Sequence, residues 1–67
     1  MKPFIFNHWH AWQAVPNGKI ILSDERIKEL RQFNIIDDCI NWLYVNGEKD
    51  CARALNSAIN KRENNNV

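Results

Sequence analysis

The shortness of this chain constrains its fold more than any single motif does. A domain of 67 residues hides only about 60% of the surface that its unfolded chain exposes, so its stability margin is thin. Chains of this size usually supplement their core with a disulfide, a metal ion or a partner subunit. Large apolar residues nevertheless recur from Phe4 to Ile59, more than one small core can cover. The sequence therefore predicts a single domain over residues 1–67 that associates with a second copy.

The two cysteines and the first residues indicate the compartment. Cys39 and Cys51 can form at most one disulfide, and the start MKPFIF runs into polar residues without the apolar stretch of a secretory signal. We therefore expect a cytoplasmic protein with free thiols, the usual state in a reducing compartment. No apolar run approaches the roughly 18 residues that cross a membrane, so no membrane association is expected.

Charge and motif content disfavour two classes of function. Nine Lys and Arg against eight Asp and Glu give a formal charge of +1, and the charges are scattered, whereas binding to a phosphate backbone needs a basic stripe. No phosphate-cradling glycine motif exists. Asp37 and Asp38, as neighbours on a predicted helix, point about 100° apart and do not form a carboxylate pair. We expect no enzyme activity, no cofactor and no nucleic-acid partner.

Residues 1–22 are predicted to be an aromatic segment that forms a short strand or hairpin. In the turn signal VPNGK, Pro16 fixes φ, Asn17 tolerates the next turn position, and Gly18 can adopt the left-handed conformation of a three-residue hairpin loop. KIIL is typical of a strand, with WQAV as a candidate antiparallel partner. A two-stranded ribbon is marginal alone in water, so it must pack on helices or on another copy.

The stretch LSDERI is typical of a helix start. Ser23 is a good N-cap, and Asp24 and Glu25 suit the positive end of the helix dipole. Leu22 and Ile27 can form a hydrophobic staple around this cap. These signals predict that a helix begins at Asp24.

The predicted helix spans residues 24–46 and ends before Gly47, which suits the C′ position. Its second half is apolar around much of its circumference. Either the helix breaks near Asn34, or it stays continuous and is covered on two sides. We favour the continuous helix, because a second copy would supply the second cover.

A second helix is predicted over residues 49–63. Cys51, Leu55, Ala58 and Ile59 share one face of it, at i, i+4, i+7 and i+8. The short link NGEK would fold this helix back on the first one as an αα-hairpin.

The predicted fold class is α+β but mainly helical. A short N-terminal strand or hairpin is followed by a long and a shorter helix, and two copies intertwine as a homodimer. Residues 64–67 have the polar composition of a frayed tail.

The stretch NHWHAW places the only two histidines beside two tryptophans. His8, His10, Cys39 and Cys51 form a ligand set that structural zinc uses. The spacing lacks the close C-x-x-C clip of specific zinc motifs, and both thiols lie on apolar helix faces, where cysteine behaves as a small hydrophobe. Zinc binding, or stacking of the tryptophans on single-stranded nucleic acid, is the alternative to packing.

Packing and recognition account best for the aromatic residues. Tryptophan and tyrosine are enriched at interface hot spots because they bury a large area at little entropy cost. We predict a homodimer seam that also accepts another protein, with His8 and His10 at its rim. Simple core filling is the alternative for the tryptophans, and both can hold at once. The predicted interface residues are Trp9, Trp12, Ile20, Leu22, Phe33, Ile36, Ile40, Trp42, Leu43, Tyr44, Leu55 and Ile59.

The sequence contains a predicted capped helix, LSDERIKELRQFNIIDDCINWLYVNGEK, a shorter helix, DCARALNSAINKRE, and a strand, GKIIL. This layout resembles the small early proteins of lambda-like temperate phages that are encoded between the exonuclease and excisionase genes. The resemblance rests on size and layout over most of the chain. It implies an intimate homodimer of two helices and one strand per subunit that favours lytic growth by contacting an unidentified host or phage protein. It supplies no catalytic residues, and a two-stranded hairpin would depart from it.

The sequence thus predicts a non-enzymatic, dimeric regulatory protein of the bacterial cytoplasm. A small zinc-stabilised domain or a single-strand-binding domain is the alternative.

Overall fold

The computed structural model describes residues 1–64, with side chains for residues 1–60, and it begins with four short strands and ends with two helices. The strands are β1 (Phe4–Phe6), β2 (Trp9–Gln13), β3 (Ile20–Asp24) and β4 (Glu29–Phe33), and the helices are α1 (Ile36–Val45) and α2 (Lys49–Asn64). The strands form one antiparallel sheet in the order β1-β2-β3-β4. Residues 65–67 of the predicted frayed tail lie outside the described residues.

The first two hairpins use residues that tolerate unusual backbone angles. Asn7 and His8 connect the paired residues Phe6 and Trp9, and Asn7 has a φ of 53°, which asparagine adopts more readily than most residues. In the second hairpin Gly18 has a φ of 73°, the left-handed conformation that the VPNGK signal predicts. The strand before it is β2, which ends two residues earlier than the predicted partner WQAV.

The third hairpin overturns the prediction of a helix that begins at Asp24. β3 continues through Asp24, and the chain then turns back into β4. The Asp24 carboxylate accepts the amide of Arg26 at 3.1 Å, the Asp24 carbonyl accepts the amide of Ile27 at 3.3 Å, and Lys28 has a φ of 59°. Serine and aspartate favour both helix caps and turns, because in each case their side chains accept a nearby backbone amide.

The predicted long helix over residues 24–46 and the mainly helical fold class are therefore wrong. Residues 29–33, ELRQF, are mostly good helix formers, but here they pair with β3. Strand pairing in a sheet overrides such weak local preferences. The alternative prediction places a helix break near Asn34. The chain does change direction there, but the element before Asn34 is the strand β4 and not a helix. α1 then begins at Ile36.

Gly47 ends α1 as the sequence predicts. It has a φ of 81° and donates its amide to the carbonyl of Tyr44 at 3.1 Å, while the amide of Glu48 donates to Leu43 at 2.8 Å. These two bonds form a Schellman motif, which satisfies carbonyls at the helix end. α2 follows almost at once and packs against α1, so the helix pair is an αα-hairpin.

The core lies between the two helices and one face of the sheet. Its small members, alanine and cysteine, allow the helices to approach closely. The buried apolar residues are Trp9, Ala11, Ile20, Leu22, Cys39, Leu43, Cys51, Ala52 and Leu55.

Candidate functional site

The alternation of side chains along the strands divides the sheet into a face that the helices cover and a face on the other side. Residues next to each other in the strand pairing share a face, so the register defines both sets. We call the set turned away from the helices the open face. The open face consists of Ile5, His10, Trp12, Ile21, Ser23, Leu30 and Gln32.

The open face carries no Asp, Glu, Lys or Arg, and much of it is apolar. Ile5 and Leu30 are 71% and 65% exposed. The outer side of a one-sided antiparallel sheet is usually polar. β4 has the reverse arrangement, because its charged residues Glu29 and Arg31 lie on the helix side. Interface cores, in contrast, are depleted of charge and enriched in aromatic residues.

Two aromatic rings lie together at the centre of the open face. The ring centroids of His10 and Trp12 are 4.8 Å apart, with an angle of 53° between the planes. Trp12 pairs with Ile21 on the neighbouring strand. These side chains form a broad, half-buried surface that a flat partner can contact.

The two ends of β3 place opposite charges beside the open face. At one end Ser23, which is buried, donates its hydroxyl to the carboxylate of Glu25. At the other end Lys19 directly precedes β3, and its carbonyl accepts the amide of Ala14 at 2.8 Å. The pairing thus continues to Lys19, and the alternation of side chains places it on the same side as Ile21. Six residues of extended chain separate the charged residues by about 20 Å.

A polar cluster joins the first and third hairpin turns. Asp24 is 6% exposed and holds the amide of Arg26, whose guanidinium lies 3.6 Å from the second carboxylate oxygen. His8 Nε2 lies 3.7 Å from Asp24 Oδ1, too far for a good hydrogen bond. The carbonyl of His8 accepts the amide of Glu25 at 2.8 Å. The cluster therefore ties the two turns together.

Trp42 on α1 is the centre of an aromatic cluster on the helix side. Its ring lies 6.0 Å from Trp9, edge to face, and 6.3 Å from Phe33, and the guanidinium of Arg31 lies 4.5 Å from its centroid. Trp9 Nε1 donates to the carboxylate of Glu48 at 3.3 Å. The adjoining cavity of about 120 Å³ is smaller than the roughly 300 Å³ of organic-ligand sites.

Two apolar hollows adjoin at the opposite end of the molecule, with Met1 and Ile59 lining both. One hollow, of about 230 Å³, also borders Phe4 and Leu55. The other, of about 420 Å³, also borders Ile36. Their walls are mainly aliphatic and suit an apolar side chain.

The two thiols lie in the core and stay protonated. Burial, with a smaller contribution from Cys51, raises the pKa of Cys39 to about 12. Burial, with a smaller contribution from Glu48, raises the pKa of Cys51 to about 11. The thiolate is the reactive and metal-binding form of cysteine, so both side chains act as small hydrophobes.

The four residues of the alternative zinc site do not converge. His10 lies on the open face, whereas Cys39 and Cys51 are buried on the helix side of the sheet, and His8 lies in the first turn. Among the residues that the structure describes, no three His, Cys, Asp or Glu side chains cluster as a metal site requires.

The predicted interface residues divide into three groups. Five of them are buried in the core of one chain: Trp9, Ile20, Leu22, Leu43 and Leu55. A second group is half-buried, most of it packed against that core: Phe33, Ile36, Ile40, Trp42 and Ile59. Trp12 is half-buried on the open face, and Tyr44 is exposed on α1. Strands of the same chain thus cover apolar residues that the sequence assigns to a dimer seam.

Sequence reasoning missed three apolar members of the open face, namely Ile5, Ile21 and Leu30. The signal that finds them is the two-residue period of strands. Reading ELRQF with this period places Leu30 opposite Glu29 and Arg31, but a helical period was assigned to this stretch.

The chain matches no known family model, curated protein or solved structure. Within residues 1–64, neither helix has the length and apolar composition to cross a bilayer.

Proposed function

We propose that the chain is a non-enzymatic protein-binding factor that acts as a homodimer. The open face carries this proposal, because it exposes Ile5 and Leu30 beside the half-buried Trp12, without a charged residue among them. Contiguous exposed apolar patches on small proteins mark interaction sites. A flat, uncharged surface with an aromatic centre matches the composition of protein interface cores.

The polar and sulfur groups elsewhere support binding and not catalysis. The buried carboxylate of Asp24 accepts the amide of Arg26 and so serves a turn. Burial holds Cys39 and Cys51 as thiols, which are far weaker nucleophiles than thiolates. The proposal therefore assigns a catalytic role to no residue.

The biological setting that we propose follows from the resemblance to early phage proteins. It is the cytoplasm of a bacterial host, with a host or phage protein as partner and lytic development as the outcome. The resemblance implied one strand per subunit, whereas the chain has four. Small size and a helical C-terminal half are the features that still support this setting.

Single-stranded nucleic acid is a second candidate partner. His10 and Trp12 lie side by side on an exposed sheet, as the stacking residues of single-strand binders do. Such sites also need several cations along the path of the backbone, whereas none of the seven residues of the open face is Lys or Arg. The observations therefore favour a protein partner.

The test is native mass spectrometry of the untagged protein at neutral pH, with and without a short single-stranded oligonucleotide. We expect a metal-free species of twice the 7.9 kDa chain mass that binds no oligonucleotide. A monomer across the concentration range would contradict the dimer. A stoichiometric zinc ion or a bound oligonucleotide would instead support the alternative functions.

A further inference from the structure

Resting on the proposed homodimer, we infer that two copies pack their open faces against each other, with the strands of one copy antiparallel to those of the other. The proposal concerns which surface forms the dimer and in which orientation. In this dimer the contact surface is the open face of the sheet. The two hollows beside Met1 and Ile59 stay accessible.

The centre of the open face suits a second copy of itself. In a two-fold dimer each surface patch meets the same patch of its partner, so charged residues near the axis would face like charges. The open face avoids this problem, because Trp12, Ile21 and their neighbours carry no formal charge. Two such sheets can pack about 10 Å apart with their apolar side chains interdigitated.

The charges at the ends of β3 select the antiparallel orientation. Glu25 is fixed at one end by the hydroxyl of Ser23, and Lys19 lies at the other end. If the two copies ran parallel, each residue would face its own counterpart and repel it. In the antiparallel orientation Lys19 of each copy faces Glu25 of its partner, which gives two attractive pairs at the rim of an apolar centre.

The size of the open face predicts a dimer of moderate affinity. Four strands at about 4.8 Å spacing and five residues at about 3.4 Å give a face of roughly 19 by 17 Å, or about 320 Å² in projection. Two copies together bury about 640 Å² in projection, and side-chain relief raises this area toward the lower end of specific interfaces, about 1,200 Å². We therefore expect dissociation in the micromolar range.

The first experiment compares lysine substitutions on and off the open face by sedimentation equilibrium. Leu30→Lys places a charge within the proposed interface at a side chain that is 65% exposed in one chain, so the fold should persist. Val45→Lys, at a site on α1 that is 76% exposed, is the matched control. We expect Leu30→Lys to weaken the dimer about tenfold or more, whereas the control dissociates as the parent does. Circular dichroism verifies that both variants are folded.

The second experiment tests the orientation with Lys19→Glu and Glu25→Lys. Each variant alone presents two like-charge pairs to a copy of itself, so we expect each to dimerise about tenfold more weakly than the parent. In a mixture, a heterodimer contains one chain of each variant. Its introduced glutamate and its introduced lysine then face each other at one rim, and the native Glu25 and Lys19 face each other at the other rim. The mixture is therefore expected to form a heterodimer with nearly the parental dissociation constant.

The outcomes separate this inference from the proposed function. A dimer that Leu30→Lys leaves intact would overturn the open-face assignment while the proposed homodimer stands. Single variants that dimerise as tightly as the parent, or a mixture that binds more tightly than the parent, would overturn the antiparallel orientation, because a parallel dimer of the parent already pairs like charges. A parent chain that is monomeric at about 500 µM, well above micromolar dissociation constants, would overturn both. A monomer whose tryptophan fluorescence an oligonucleotide quenches would assign the open face to nucleic acid.

Discussion

Replacing Trp42 with alanine should separate the contribution of the monomer core from that of the open face. Trp42 contacts Trp9 and Phe33 and lies under the guanidinium of Arg31. Trp12, on the other side of the same sheet, has no covering helix. Trp42→Ala and Trp12→Ala therefore delete the same side chain from two surfaces with different roles.

The contacts set the expected magnitude for Trp42→Ala. Deleting a buried tryptophan costs about 3 to 5 kcal/mol, and Trp42 is only half-buried, which favours the lower limit. Two aromatic pairs at about 0.5 to 1.5 kcal/mol each and a cation–π contact at about 0.5 to 1 kcal/mol give a similar sum. We expect a loss of about 3 kcal/mol, a large part of the ~3 to 10 kcal/mol that a chain of this length has in total.

The assay is urea unfolding followed by far-ultraviolet circular dichroism at submicromolar concentration, below the expected micromolar dissociation constant of the dimer. With a slope near 1 kcal/mol per molar urea for so small a protein, the midpoint of Trp42→Ala should fall by about 3 M. Trp12→Ala should change the free energy of unfolding by less than about 1 kcal/mol, since the side chain is open to solvent on one side. Its main effect should be on the dimer dissociation constant.

Two results would refute this reasoning. If Trp12→Ala destabilised the dilute protein as much as Trp42→Ala does, the open face would be covered within a single chain. If Trp42→Ala were neutral, the aromatic cluster would not hold α1 against β4. A double-mutant cycle of Trp42→Ala with Arg31→Gln should also show a coupling of about 0.5 to 1 kcal/mol for the cation–π contact.

Two further predictions concern the thiols and a helix end. The pKa values of Cys39 and Cys51 rise on folding from 9.0 to about 12 and about 11. The stability that the two thiols contribute is therefore complete below pH 9 and is lost as pH rises through these folded-state values, by about 1 to 2 kcal/mol per thiol at pH 10. The parent should therefore have a lower urea midpoint at pH 10 than at pH 8, and this difference should shrink in a Cys39→Ala/Cys51→Ala double variant. A double variant whose midpoint falls as much as that of the parent would contradict the thiol explanation. Gly47→Ala should cost about 1 to 2 kcal/mol, because a φ of 81° strains any side chain although nothing lies within 4 Å of the new methyl group. A thermal midpoint equal to that of the parent would show that the turn relaxes without strain.

Local signals predicted the parts of the fold that local chemistry decides. Gly18 and Gly47 both adopt the left-handed conformations expected of them, because the penalty for a side chain at such positions does not depend on distant contacts. The second helix begins at Lys49, close behind the predicted C-cap. These elements could be read from a few neighbouring residues.

The structure of the third hairpin could not be predicted from neighbouring residues alone. Ser23 and Asp24 offer side-chain acceptors that serve a helix cap or a turn equally well. The outcome depends on the pairing of Phe33 with Ile20, thirteen positions apart in the chain. A helical interpretation of this stretch leaves apolar residues such as Ile20 and Leu22 without a cover, whereas in the structure both are buried within one chain.

The register of β4 is the strongest structural argument that the open face has a partner. A slip of one residue would turn Leu30 toward the helices and expose Glu29 and Arg31 on the outside, the arrangement that a lone sheet favours. The chain keeps the opposite register, which places Arg31 over Trp42 and leaves Leu30 in solvent. The contact with Trp42 explains why Arg31 lies on the inward side, but it does not explain why β4 places Leu30 and the uncharged Gln32 on the outward side. Association through the open face accounts for both, because it converts an exposed leucine into a buried one and leaves the charged residues of β4 outside the interface.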